Sequence, residues 1–203
     1  DRRARIRDVL DAVYAAYAAK TAITIADLAC GTGSTLRTLS PHIKARQHWR
    51  LFDNDLSLLA RAPESDPPQL QVQTIPIDLN RDLEMALDGL LDLVTTSALL
   101  DLVSDEWLER FAVEAAVRNV PVYAALSYDG RASLSPIDPV FVRNDNAIQH
   151  ETVAGWAVAA REIGESELDV AGWLARRREL IAVGCSSIHV GHIDLFAKPA
   201  GMR

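Results

Sequence analysis

At 203 residues the chain can bury one sizeable core, and it stands at the upper end for a single fold. With 49% hydrophobic and 24% charged residues it has a globular balance, and no apolar run approaches the ~18–20 residues of a membrane helix. No membrane partner is expected on that ground, and the formal charge of −7 weighs against a nucleic-acid partner held through phosphates.

The opening DRRARIRDVLDAVYAAYAAK is basic and then apolar, like some targeting peptides. Its apolar residues Ile6, Val9, Leu10, Val13 and Tyr17 instead keep helical spacing, and Asp8 and Asp11 interrupt the run. The reading is a surface helix within 1–20, with Arg2, Arg3, Arg5 and Arg7 on its solvated face. The triplet Arg176, Arg177 and Arg178 is read the same way. AITIADL (22–28) is short, apolar and β-branched, as a buried parallel strand would be. A glycine loop follows, then helical spacing over 34–43. HWRLFD (48–53) reads as a strand and 55–62 as a helix capped by Asp55. A loop over 63–68 leads to strand 70–77, a short helix near 83–87, strand 90–99, helix 105–117 and strand 121–128.

The last third follows this alternation less closely. It offers a weak strand at 140–143, helices at 148–163 and 167–183, and a terminal strand at 186–199, so that one strand is short or absent. Strands alternating with helices predict an α/β fold: a doubly wound, mostly parallel sheet with an N-terminal helix and a terminal antiparallel strand. The expectation is one domain, with the N-terminal helix in 1–20, a ligand-binding core in 22–128, and C-terminal helices and the last strand in 129–203. Cys30 and Cys185 lie far apart without CxxC spacing and read as reduced thiols of a cytoplasmic protein. No metal cluster is expected. His189 and His192, three apart on the terminal strand, fall on opposite faces.

In open parallel sheets ligands bind beyond the carboxyl ends of strands, where strand order reverses. The loop there reads Asp27-Leu-Ala29-Cys30-Gly31-Thr32-Gly33-Ser-Thr-Leu36. Gly31 and Gly33 allow backbone angles closed to other residues and let a ligand approach the main chain. Leu36 stands where a dinucleotide fingerprint wants its third small residue. Asp53, about twenty residues later at a strand end, can accept both hydroxyls of a ribose.

The motif D-x-A-C-G-T-G, followed by the acid of LFDND, resembles the class I S-adenosylmethionine-dependent methyltransferases. It departs from their pattern at Ala29, where a first glycine is usual. The resemblance covers 20–130 and extends to the terminal VGHIDLFAKP; it is also similar to a bacterial branch of the family that implies no substrate. It implies a Rossmann-like methyltransferase fold, with S-adenosyl-L-methionine as cofactor and S-adenosyl-L-homocysteine as product. Asp27 would hold the methionine ammonium, directly or through water, and Asp53 the ribose, with Asp55 a rival. Asp78 of PIDLN would accept from the adenine amine, with Leu79 and Leu56 on the ring. Ala29, Cys30, Gly31, Thr32, Gly33, Asn54, Thr96 and Ser97 complete the implied cofactor set. Ordinary roles stay open beside these: Asp27 as a cap or arginine partner, Asp78 as the start of a turn, and Cys30 and Trp107 as packing.

Methyl transfer is an in-line displacement in which positioning supplies most of the catalysis. Ser97, Asp101, Tyr128 and Asp129 fall at the ends of the fourth and fifth strands and could orient or deprotonate an acceptor, here taken to be a small molecule. Two competing readings remain. One is a cofactor-binding sensor or scaffold without turnover. The other is an NAD(P)-dependent reductase, disfavoured by Leu36 and by the absence of a Tyr-x-x-x-Lys pair among only Lys20, Lys44 and Lys198.

Overall fold

The computed structural model describes residues 5–66, 68–135 and 187–198, with side chains over 5–66, 68–127 and 193–198. Two compact units divide the chain, Asp1–Ser127 with Ile193–Arg203, and Tyr128–His192. Of the second unit, only the backbone stretches within two strands are described. The predicted strand 140–143, the helices 148–163 and 167–183, Arg176 to Arg178 and Cys185 lie outside the described residues. So do the side chains of Tyr128, Asp129, His189 and His192.

Helix α1 (Arg7–Tyr17) precedes strand β1 (Ala22–Leu28), helix α2 (Ser34–Leu39), strand β2 (Arg46–Asp53) and helix α3 (Leu56–Leu59). Strand β3 (Leu70–Pro76), helix α4 (Leu79–Ala86), strand β4 (Leu93–Ser97), helix α5 (Asp105–Val117), strand β5 (Val122–Ser135) and strand β6 (Ser187–Ala197) follow. The sheet order is β3-β2-β1-β4-β5-β6, parallel from β3 through β5, with β5 and β6 as a terminal antiparallel pair. Strand order therefore reverses between β1 and β4, so the loop after β1 opens onto the switch point where such sheets bind ligands.

Alternation along β1 builds both layers. Ile23 and Ile25 pack with Val13 and Tyr17 of α1 and with Leu36 and Leu39 of α2. Ala26 and Leu28 pack oppositely, with Leu83 of α4 and Trp107 and Phe111 of α5. Having helices on both sides leaves β1 almost wholly buried, and its sequence is accordingly a near-continuous apolar run.

Several boundaries differ from the periodicity. α2 stops at Leu39 rather than at 43, because Pro41 cannot continue the ladder and the chain tightens into a 3-10 turn over Ser40–His42. α3 keeps only four residues; Asp55 caps it, accepting from the Ser57 and Leu58 N–H groups, and Pro63 turns the chain away soon after. α4 begins at Leu79, four residues earlier than expected, since Asp78 caps it and a non-helical Asp82 breaks its apolar spacing. β4 ends at Ser97 because Ala98 takes a left-handed φ of 54°. The N-terminal basic run needs a correction. Arg5 is buried at 5% exposure, because its guanidinium reaches hydroxyls of α2, β4 and β5 instead of solvent.

Candidate functional site

Three residues of the glycine loop have positive φ: Ala29 at 51°, Gly31 at 54° and Gly33 at 77°. Ala29 thus occupies the conformation a glycine would adopt without strain. The two glycines serve different needs. A Cβ on Gly31 would meet nothing within 4 Å, whereas one on Gly33 would lie 2.7 Å from Cδ of Pro63. Gly31 faces open space; Gly33 lets the loop close against its neighbour. Ala98 and Leu126 (φ 54° and 56°) carry the same strain beyond β4 and within β5. Asn119 (φ 53°), a residue type that tolerates this conformation, lies before β5 instead.

Asp53 ties the loop to β2. Its Oδ2 accepts from Gly31 N–H at 2.8 Å and its Oδ1 from Asp55 N–H at 2.9 Å. Each oxygen keeps a further lone pair that could take a ribose hydroxyl. Asp78 is exposed, and its Oδ1 accepts from the Asn80 N–H at 3.0 Å as the cap of α4. The other oxygen remains available. A cleft of about 230 Å³ joins Ala29, Asp53, Asn54, Asp78, Leu79 and Trp107. Trp107 is a buried core residue on the wall of this cleft: it stacks on Phe111 and donates from Nε1 to the Leu79 carbonyl at 2.9 Å. Leu56 is exposed and does not line this cleft. A larger apolar groove of about 540 Å³ among α5, β5 and β6 holds none of the motif residues.

Asp27, near the end of β1, is buried at 1% exposure. Thr95, its register partner on β4, donates to Oδ1 at 2.7 Å, while Oδ2 has no hydrogen-bond partner among the described residues. Burial raises its pKa to about 7; the Thr95 hydrogen bond and the Arg5 charge pull it down, and Asp53 pushes it up. Burial also pushes the Cys30 thiol well up, which suits a packing group and not a nucleophile. Thr32 accepts from Arg37 through both its carbonyl and its hydroxyl. Thr96 is buried, donating its hydroxyl to the Leu28 carbonyl across the sheet. Ser97 accepts from Arg5 at 3.4 Å, and Asp101 keeps a buried Oδ1 without a partner among the described residues.

The sequence reading missed Arg5, Thr95 and Asp194. Asp194 of β6 is buried and accepts from the Ile6 N–H at 2.8 Å and the Leu126 N–H at 2.8 Å. The contacts of Asp194 and the Thr95–Asp27 bond each span at least 68 residues of sequence and those of Arg5 at least 29, so no local motif marks them.

The fold is a doubly wound, Rossmann-like one. No family model matches the chain, and no curated protein does. Among solved structures it is similar to the methyltransferase domain of a bacterial Hen1, at 18% identity and TM-score 0.44 over 76% of this chain and 83% of that one. It is also similar to the bifunctional kinase–methyltransferase WbdD, at 16% identity and TM-score 0.46 over 60% of this chain and 29% of that one. A third is CalO1, a methyltransferase of calicheamicin biosynthesis in S-adenosylhomocysteine-bound form, at 18% identity and TM-score 0.41 over 58% and 35%. The chain thus spans about a third of the length of the last two. At these values the likeness is loose, and the fold rests on the strand order and the glycine loop.

Proposed function

We propose that the chain is an S-adenosylmethionine-dependent methyltransferase acting on a small molecule. The observation that carries this reading is the convergence at the switch point. Ala29, Asp53, Asn54, Asp78 and Leu79, drawn from three separate strand ends, line one cleft beside the open face of Gly31. At about 230 Å³ it is smaller than the ~300–1,000 Å³ of a whole small-molecule site. It suits the nucleoside end, with Asp53 toward the ribose, Asp78 toward the adenine amine and Leu79 against the ring. Asp27, with an orphaned buried oxygen, suits the ammonium of the methionine end. A bound sulfonium supplies an electrophilic methyl group and a neutral thioether leaving group. What remains for the protein is to align the acceptor and, where the acceptor carries a proton, to take it up; Ser97 and Asp101 are the described residues nearest that task in sequence.

The binding test is calorimetry of the purified chain against S-adenosylhomocysteine, NAD and NADP. Micromolar binding of the first and none of the others is expected; the reverse order would sink the reading. Product detection with a panel of small hydroxyl, amine and thiol acceptors then separates an enzyme from a cofactor-binding scaffold.

A further inference from the structure

The segment before α1 is pinned where β4 ends against β5, by two neighbouring residues that use different groups. Arg5 uses its side chain. Nη2 donates to Thr35 Oγ1 at 3.1 Å and to Ser34 and Ser97 Oγ at 3.4 Å, and Nη1 donates to Tyr123 Oη at 3.3 Å. Ile6 uses its main chain, donating its N–H to Asp194 Oδ2 at 2.8 Å. The other oxygen of that carboxylate accepts from the Leu126 N–H, also at 2.8 Å. Asp194 is buried on β6, so one rigid group ties the N-terminal segment to β5.

The far end of α1 has a separate hold, because Tyr17 Oη donates at 2.7 Å to the carbonyl of Asp92, just before β4. α1 is therefore a strap with one pin at each end of β4. The two pins differ in strength. Tyr17 is buried at 1% exposure and makes a short bond. The Arg5 guanidinium has only neutral hydroxyls as partners, and its buried Nε has none among the described residues. A buried cation held in this way carries a desolvation cost that its long bonds do not fully return.

What this weaker pin holds is itself strained. Leu126 takes a φ of 56° inside β5, and Ala98, whose N–H donates to the Ala125 carbonyl at 3.0 Å, takes 54°. Left-handed backbone at such residues persists only where the surroundings over-determine it. Here those surroundings include the Asp194 carboxylate on Leu126 and the Arg5 guanidinium on Tyr123 and Ser97.

We infer that Arg5, Ile6, Asp194 and the bend of β5 at Leu126 form a releasable latch. The N-terminal segment and the left-handed bend are held or let go together, while the rest of the sheet stays folded. Release frees the Ser97 hydroxyl from Arg5 and loosens the backbone beside Ser127, whose buried Oγ has no partner among the described residues. Seating of the strap thus sets the shape of the sheet where β4 ends. That this is the acceptor side rests on the function proposed above; the latch itself belongs to the chain alone, whichever ligand the cleft takes.

Residue-resolved hydrogen exchange of the full chain by NMR, across a series of low urea concentrations, tests the latch. In the wild type the Ile6 and Leu126 amides should show equal protection and the same urea dependence, about tenfold or more below the amides of β1. Leu126 protected as fully as β1 while Ile6 exchanges freely would overturn the latch, and that comparison needs no variant to fold. Ile6→Pro then removes the N–H alone, since proline accepts the φ of −72° and the Ile6 side chain is 38% exposed. It alters no atom of β5. Protection at Leu126 should nevertheless fall about tenfold to a hundredfold, the range for one hydrogen bond to a charged group, with β1 unchanged. Unchanged protection at Leu126, or an equal fall throughout β1, would each overturn the latch without touching the cofactor reading.

Discussion

Asp53 and Asp27 both stand beside the glycine loop, at the ends of adjacent strands, and their surroundings differ in kind. Asp53 meets two backbone N–H groups, one on each oxygen, and lies on the wall of an open cleft. Asp27 is almost wholly buried, with one threonine hydroxyl and a bare oxygen, and burial raises its pKa although the Thr95 hydrogen bond and the Arg5 charge pull it down. The first carboxylate shapes the loop whether or not a ligand is present. The second is left with a polar deficit that a positively charged group would remove. A loop-shaping acid should cost stability and affinity together when removed, and a deficient one should cost affinity while relieving the fold.

The largest effect is expected at the first. Asp53→Ala orphans the Gly31 and Asp55 N–H groups, for about 1–3 kcal/mol of stability, and also removes the ribose acceptor. S-adenosylhomocysteine affinity should fall about tenfold to a hundredfold. Denaturant unfolding and calorimetry on one preparation read both losses. A variant that binds as wild type would remove Asp53 from the cofactor site.

Next comes the pH response of Asp27. Its folded pKa, about 7, stands above the unfolded value of 3.8, with burial the main cause. The folded chain therefore holds a proton that the unfolded chain has released. The resulting stability is full below about pH 4 and is lost as pH rises through about 7. Ligand binding responds oppositely, since an ammonium needs the carboxylate. Between pH 5.5 and 7.5 S-adenosylhomocysteine affinity should rise by up to ~tenfold while unfolding stability falls. Asp27→Asn should flatten both slopes and, above pH 7, be more stable than wild type by on the order of 1–3 kcal/mol. Parallel slopes in the wild type would show that Asp27 does not meet the ligand.

The same contrast explains what could be read without the fold. The loop, Asp53, Asp78 and Leu79 were legible because short strands end in them and each motif is local; a GxG after a β-branched run already predicts where the backbone must turn. The cap Asp55 was legible for the same reason, whereas Asp78, open to reading as the start of a turn, caps an α4 that begins earlier than apolar spacing placed it, since Asp82 interrupts that spacing. Arg5 was misread as solvated because its hydroxyl partners lie 29 to 118 residues away in sequence. Only the sheet order, with β1 between β2 and β4, brings them to one place.

A smaller pair of effects separates the two glycines. Gly33→Ala forces a Cβ against Pro63 in a left-handed backbone and should cost about 2 kcal/mol, lowering Tm by roughly 4–8 °C. Gly31→Ala has the strain but no clash, so about 1 kcal/mol is expected. Its methyl would stand in the open space, so it should weaken S-adenosylhomocysteine more than Gly33→Ala does. The reverse ranking in affinity would move the ligand away from Gly31.

The smallest effect is a gain. Ala29 holds a φ of 51°, which costs an L-residue roughly 1–2 kcal/mol and a glycine almost nothing. Against this, glycine enlarges the freedom of the unfolded chain by up to ~1 kcal/mol. Ala29→Gly should therefore stabilise by about 0.5 kcal/mol, a rise of roughly 1–2 °C in Tm. The alanine would persist despite its strain because it keeps the loop stiff beside Asp53, on the wall of the cleft. On that account the variant should gain in melting temperature and lose two- to threefold in S-adenosylhomocysteine affinity. A gain in both would mean that the strained alanine contributes nothing to binding.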